Sequence, residues 1–188
     1  MEKLELESGE SYKGRNFDNT RFQFLDLGGC TFTHCSFENA DLSGAKLNSS
    51  IFKSCNLSNA KIYKTNLFGV TFEDCKMLGL DFTSIKLTAV ILKNCKLDYC
   101  NFEQLSLKNM HFDDCSFIET NFASCDLTKA SFINANLTNA NLANVKLLQT
   151  DFRGAQFTGI NFKNYDLRII ITRDQLDSLA QEMGITVI

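Results

Sequence analysis

An apolar residue recurs at every fifth position along most of this chain. From Phe17 to Leu167 each fifth residue is Phe, Leu, Ile or Met, 31 times with no slip of register. Fifteen of the 17 phenylalanines occupy this position, called i below. Position i−2 is Ala, Ser, Thr, Cys or Val at 23 of the 31 sites. It also takes all 8 cysteines: Cys30, Cys35, Cys55, Cys75, Cys95, Cys100, Cys115 and Cys125. The other three positions are mostly Asn, Asp, Ser, Thr, Lys and Gly. Six of the ten glycines fall at i+2, where a corner can demand an unusual backbone angle.

Neither regular element accommodates a period of five. On an α-helix five residues turn through about 500°, which scatters the apolar positions over every face. On one flat strand, residues i and i+5 point to opposite sides. The pattern closes only if each pentad is one short side of a coil that turns a corner every five residues. Residues i and i−2 then face inward and the other three face out. Four sides per coil make a repeat of 20, and the sequence supports that number. Position i reads leucine at 27, 47, 67, 87, 107, 127, 147 and 167, and Phe at 32, 52, 72, 112, 132 and 152 with Leu92 between. At i−2, Cys35, Cys55, Cys75, Cys95 and Cys115 follow one another at the same spacing. Like residues every 20 positions are what stacked side-chain ladders produce.

The segments Ala135-Asn136-Leu137-Thr138-Asn139 and Ala140-Asn141-Leu142-Ala143-Asn144 match the A(N/D)LXX pattern. Over residues 12–168 the chain resembles a pentapeptide repeat protein. The resemblance implies an all-β solenoid, a right-handed quadrilateral β-helix of about eight coils. At about 4.8 Å per rung such a rod would be roughly 37 Å long. The chain has no proline, which fits a backbone committed to ladders because proline cannot donate to one.

The ends of a solenoid need caps. Residues 1–11, where Leu4 and Leu6 alternate with glutamates, are expected to form an N-terminal cap strand. Residues 169–188 are expected to form a C-terminal cap. Thr172-Arg173-Asp174-Gln175 reads as a capping box. Leu176, Leu179, Ala180 and Met183 then follow a helical i, i+3, i+4, i+7 spacing, Gly184 can stop the helix, and Ile185-Thr186-Val187-Ile188 reads as a short strand. Ile169, Ile170, Ile171, Leu176, Leu179, Met183, Ile185 and Val187 are the candidate homodimer surface, since related proteins dimerise through C-terminal segments.

Several chemistries are not expected. Stacked thiols about 4.8 Å apart exceed the Cβ separation of about 3.8 Å in a disulfide, and a parallel ladder does not converge on a tetrahedral metal. The cysteines therefore read as small core residues, and His34 beside them lies at an outward corner. An interior filled by Phe and Leu leaves no pocket for catalysis, and the two histidines, His34 and His111, lie on different coils. No enzyme activity, metal or cofactor is expected. A net charge of −3 argues against direct nucleic-acid binding, and the apolar runs are too short to span a membrane. Without a signal peptide's apolar stretch, the protein is expected in the cytoplasm with reduced thiols.

The remaining candidates are surface carboxylates. Glu73, Asp74, Asp98, Glu103, Asp113, Asp114 and Glu119 cluster along the repeat, and Asp126, Asp151, Asp166, Asp174, Asp177 and Glu182 lie toward the C-terminus. Within the family the chain is similar to the quinolone-resistance-type proteins. That resemblance implies a DNA mimic that binds DNA gyrase or another type II topoisomerase and modulates it or shields it from quinolone-type inhibitors. The unbroken register leaves no room for the projecting loops of some relatives. The alternative is a passive protein-interaction scaffold without a topoisomerase partner. Its contacts would be outward apolar residues such as Ile51 and Ile91, which share a face, with Phe24, Phe68, Leu78 and Ile118.

Overall fold

The computed structural model describes residues 6–160, 162 and 168–185. They form a right-handed quadrilateral β-helix followed by one short helix. The chain divides into two compact units, Met1–Cys95 and Lys96–Ile188. In both, each pentad is one side of a coil. Faces are numbered here in chain order by their central residues: face 1 carries Phe37 and Phe117, face 2 Leu42 and Phe122, face 3 Leu47 and Leu127, and face 4 Phe52 and Phe132.

Two kinds of backbone hydrogen bond build most sides. Between coils, residue i donates to the carbonyl 19 positions later, as in Phe37 N–H to Asn56 O (2.6 Å) and Phe122 N–H to Asn141 O (2.9 Å). At the corner, residue i+3 donates back to residue i, as in Ala40 N–H to Phe37 O (3.0 Å). The residue at i+2 then sits at positive φ, which is the geometry of a type II turn. Asn39 (φ 56°), Ser124 (φ 59°) and Asn139 (φ 57°) adopt it without being glycine. Glycine is needed at Gly44 (φ 67°), because a Cβ there would come within 2.6 Å of the Phe24 ring lying over it.

In the N-terminal unit face 4 flattens into a parallel sheet of five strands: β1 Ser11–Lys13, β2 Thr31–Thr33, β3 Ile51–Lys53, β4 Thr71–Glu73 and β5 Ile91–Lys93. The register is 20 residues throughout, pairing Phe32 with Phe52 and Phe52 with Phe72. The rings stack at 4.9 and 5.1 Å between centroids. In the C-terminal unit the same face holds single bridges, His111 to Ser131 and Ser131 to Asp151, over the stacked Phe112, Phe132 and Phe152. The last bridge, Asp151 to Ile170, is one residue shorter than the repeat.

The small i−2 residues do more than fill space. Ser50 Oγ donates to Leu27 O (2.7 Å), Thr120 Oγ1 to Leu97 O (2.7 Å) and Cys55 Sγ to Phe32 O (3.4 Å). Each reaches the central carbonyl of the coil before, and Leu27 O and Leu97 O also accept corner bonds, from the Cys30 and Cys100 amides. A buried hydroxyl or thiol is thereby satisfied without water. All eight cysteines are buried and free. Burial pushes the Cys125 thiol up to about 11, so it stays protonated.

One stretch of ladder opens. Across Lys61–Gly69 and Asp81–Ala89, the amides of Ile62, Leu67, Asp81 and Lys86 make none of the bonds their counterparts make in neighbouring coils. The Lys64 amide donates instead to Ser84 Oγ (3.1 Å). Leu80 and Ile85 sit in this stretch. Both are buried at i−2 corners, most of which hold Ala, Ser, Thr, Cys or Val, and extra methylenes in a packed interior act on the backbone. Leu105 and Met110, half-buried at the same position, keep their ladder bonds. Leu87, the central residue of that side, is only half-buried.

The cost of a left-handed corner gives a stability prediction. Ser124 is exposed and its side chain has no hydrogen bond. Ser124→Gly should leave stability unchanged or slightly raised, whereas Ser124→Val should cost about 1–2 kcal/mol. Urea denaturation monitored by circular dichroism measures both.

Candidate functional site

The candidate carboxylates divide between the two units. In the N-terminal unit Glu73 pairs with Lys53 (3.4 Å), and Asp74 accepts a hydrogen bond from Asn94 Nδ2 (2.6 Å). The others lie in the C-terminal unit, except Asp166, which falls outside the described residues.

Many of those side chains already have work inside the solenoid. Asp98 accepts from Ser116 Oγ and the Ile118 amide (2.9 Å). Asp113 makes the same pair of bonds, to Ser131 Oγ and the Ile133 amide (2.9 Å), and faces His111 Nδ1 at 3.6 Å. Asp114 accepts from Asn134 Nδ2 (3.1 Å). Asp126 lies between Lys108 (3.2 Å) and Lys146 (3.8 Å) and accepts from the Thr128 amide. Asp151 takes a forked contact from Arg153, whose Nη2 is 2.7 Å away. Glu103 and Glu119 make no side-chain hydrogen bond or ion pair with any described residue.

These bonds shift titration. The Arg153 guanidinium holds the Asp151 carboxyl below its ordinary value against opposing burial. For Asp126, burial pushes upward, but the Thr128 hydroxyl and amide and the Lys108 ammonium outweigh it. Both groups therefore stay ionised at neutral pH.

Position by face matters more than proximity in sequence. Between residues 96 and 154, faces 4, 1 and 2 carry Asp98, Glu103, Asp113, Asp114, Glu119 and Asp151, six carboxylates against two cations, Lys96 and Arg153. Face 3 carries Lys108, Lys129 and Lys146 around Asp126. Over these residues three consecutive faces carry a net negative charge, face 2 through Glu103 alone, and face 3 a net positive one. Sorting the charges by the 20-residue repeat would have exposed this segregation in the sequence, whereas their clustering along the chain conceals it.

The C-terminal segment forms a 3₁₀ turn at Arg173–Gln175 and helix α1 at Leu176–Glu182. Polar side chains dock it. Gln175 is buried, donates from Nε2 to Phe152 O and Ala155 O (2.8 Å each), and accepts at Oε1 from the amides of Gly154 and Thr172. Glu182 accepts from the Gly159 amide (3.0 Å). The two side chains supply bonds that a further coil would supply. Leu179 packs inward, so the expected apolar face is divided. Leu176 (52% exposed), Ile170 (43%) and Ile185 (53%) lie outward, with Ile169, Ile171 and Met183 half-buried. Val187 lies outside the described residues, as does the expected terminal strand beyond Ile185. The expected N-terminal strand lies largely outside them too, and Leu6 is not in a strand.

Among the described residues, no group of three or more His, Cys, Asp or Glu side chains is placed to hold a metal ion. No helix among them is long and apolar enough to cross a membrane.

A family model described as a pentapeptide repeat region matches residues 25–102, 65–134 and 105–170. The chain belongs to the pentapeptide repeat family. Among solved structures it resembles QnrB1, a plasmid-mediated fluoroquinolone resistance protein, with a TM-score of 0.86 at 22% identity, covering 95% of this chain and 92% of that one. It also resembles HetL, a pentapeptide repeat protein involved in heterocyst differentiation regulation from the cyanobacterium Nostoc, with a TM-score of 0.55 at 21% identity, covering 79% of this chain and 81% of that one. At these identities the likeness is one of fold. No curated protein matches the chain by sequence.

The lowered Asp126 and Asp151 values set an acid limb. Folding stabilises the ionised forms, so that contribution is complete above the ordinary carboxylate value and is lost as pH falls through it. Asp151→Asn should flatten the fall in melting temperature below about pH 4 while changing its slope little near pH 7. Thermal melts across that range test it.

Proposed function

We propose that this protein is a non-enzymatic binding protein whose partner is DNA gyrase or a related type II topoisomerase. It engages that partner as a DNA mimic and modulates it or protects it from quinolone-type inhibitors. The observation that carries the reading is the segregation of charge. Three acidic faces oppose one basic face, so the unit can offer a basic DNA-binding surface a side on which carboxylates dominate. Such complementarity steers association and fixes orientation. The near full-length likeness to a fluoroquinolone resistance protein supports the same partner class.

Glu103 and Glu119 are the best placed for this role, because neither must abandon an internal bond to meet a partner's lysine or arginine. The internally bonded Asp98 and Asp113 hold the corners on which the acidic faces are displayed. The protein acts as a homodimer in this reading. Leu176, Ile170 and Ile185 are outward apolar side chains beside a polar docking contact, and a second copy would cover them.

A second reading is a passive scaffold without a topoisomerase partner. The internal partners of Asp98, Asp113, Asp114, Asp126 and Asp151 favour it, since compensated carboxylates attract a basic partner less strongly.

A supercoiling assay with purified gyrase, with and without a fluoroquinolone, separates the two. The topoisomerase reading expects inhibition or protection at micromolar protein, weakened about tenfold or more by Glu103→Lys with Glu119→Lys. No effect of the unaltered protein in either arm leaves the scaffold reading. For the dimer, sedimentation equilibrium should give twice the chain mass, and Leu176→Glu with Ile170→Glu should give monomers. An unaltered protein that sediments as a monomer refutes the dimer.

A further inference from the structure

The opened ladder in the N-terminal unit has a chemistry that the acidic faces of the other unit do not use. A cleft of about 310 Å³ lies there, lined by Ser43, Lys61, Ile62, Tyr63, Asp81 and Ser84 among others. That volume is at the small end of ligand sites. The amides of Ile62, Leu67, Asp81 and Lys86 lack their ladder bonds, and the facing carbonyls of Ala60, Thr65, Asp81 and Lys86 lack the matching ones. A backbone that elsewhere pairs rung to rung therefore leaves donors and acceptors open along one corner.

Lys61, Lys64 and Lys86 stand here against Asp81 and Asp41, the latter held below its ordinary value by the Ser43 hydroxyl and amide and by the nearby Lys61. Lys61, Lys64 and Lys86 make no ion pair with any described residue. The Lys64 ammonium lies 5.1 Å from the centre of the Tyr63 ring. The one acidic side chain lining the cleft, Asp81, is engaged locally by the Thr83 amide (3.0 Å) and hydroxyl (2.7 Å). Tyr63 (60% exposed) lines the opening on face 2, and Phe68 (54%) is exposed on the next face. Aromatic anchors beside unpaired main chain are the usual ingredients of a peptide-binding groove.

We propose that this corner binds an extended acidic peptide segment of a partner protein. The peptide's main chain would meet the open amides and carbonyls, its carboxylates would meet Lys61, Lys64 and Lys86, and Tyr63 and Phe68 would cover its flanks. Unlike a regular coil, which offers a partner only side chains, this corner also offers hydrogen bonds. Leu80 and Ile85 hold it open from inside. The inference does not depend on the topoisomerase reading, whose carboxylates lie in the other unit.

The test uses the full chain and a short fluorescein-labelled peptide alternating Glu and Val. A Lys and Val peptide of equal length and a labelled single-stranded oligonucleotide serve as controls. Fluorescence anisotropy should give saturable binding of the acidic peptide alone. Lys61→Glu with Lys64→Glu, both exposed positions, should weaken it about tenfold or more. Hydrogen exchange should find the amides of Ile62, Leu67, Asp81 and Lys86 fast in the free protein and slowed by the acidic peptide. Leu80→Ala with Ile85→Ala should let the ladder close, protect those amides without peptide and abolish binding. If that variant does not fold, the lysine variant and the exchange map still decide. Absence of saturable binding overturns the proposal, as do equal binding of the basic peptide, protection confined to another region, or preferential binding of the oligonucleotide.

Discussion

Every coil in each unit rests on one repeated contact, the backbone hydrogen bond from residue i to the carbonyl 19 positions on. It fixes the rung spacing, and the spacing fixes which side chains can stack. A Phe on a Phe at about 5 Å, a thiol on a thiol and an amide on an amide are all consequences of that one register. The bond also dictates the corners. A type II turn is needed every five residues, so residues with a Cβ occupy positive φ again and again. Each such corner costs about 1–2 kcal/mol in an L-residue. The ladder and the packed interior must offset that cost together, because neither a five-residue side nor a lone coil can bury its own apolar residues.

The same register governs what the surface can do. Outward residues are displayed in columns, so charge on a face is set by positions 20 apart rather than by neighbours along the chain. In the C-terminal unit this turns an unremarkable net charge into acidic sides and a basic side. It also limits how mobile those charges are. Asp98 and Asp113 each bind a hydroxyl and an amide of the next coil, which holds the carboxylate at a fixed place on its face. Fixed carboxylates lose little entropy on meeting a partner but retain less uncompensated charge. Glu103 and Glu119 have the opposite balance. A binding surface made from both kinds gains orientation from the first and attraction from the second.

Much of this was legible in the sequence, because the period of five has one geometric solution and the period of 20 counts its sides. The stacking of Phe32, Phe52 and Phe72 follows from those two periods alone. The capping box at Thr172 and Gln175 was equally plain, since its spacing is local. What Gln175 does beyond the box was not legible. Its amide reaches Phe152 O and Ala155 O, and nothing in a linear pattern says that a side chain will replace a missing coil. The helix face departs from the expected one for the same reason. A periodic Leu176, Leu179, Met183 stripe implies one apolar side, but docking through Gln175 and Glu182 turned only Leu179 inward.

The corner at Leu80 and Ile85 shows where a pattern read only by class of residue fails. Both positions keep the inward-facing slot apolar, so the repeat continues unbroken by that criterion. Volume differs there, and in a close-packed interior extra methylenes act on the backbone. The repeat survives in register while the ladder bonds of Ile62, Leu67, Asp81 and Lys86 are lost on two faces, where the Gly69 amide still reaches Thr88 O (3.2 Å), and kept on the other two, where Asn56 bridges Lys76 and Thr71 pairs with Ile91. A solenoid can change its surface in two ways, by exchanging outward residues or by enlarging an inward one. The second way exposes main chain, the one recognition element that a regular coil conceals, without inserting a loop.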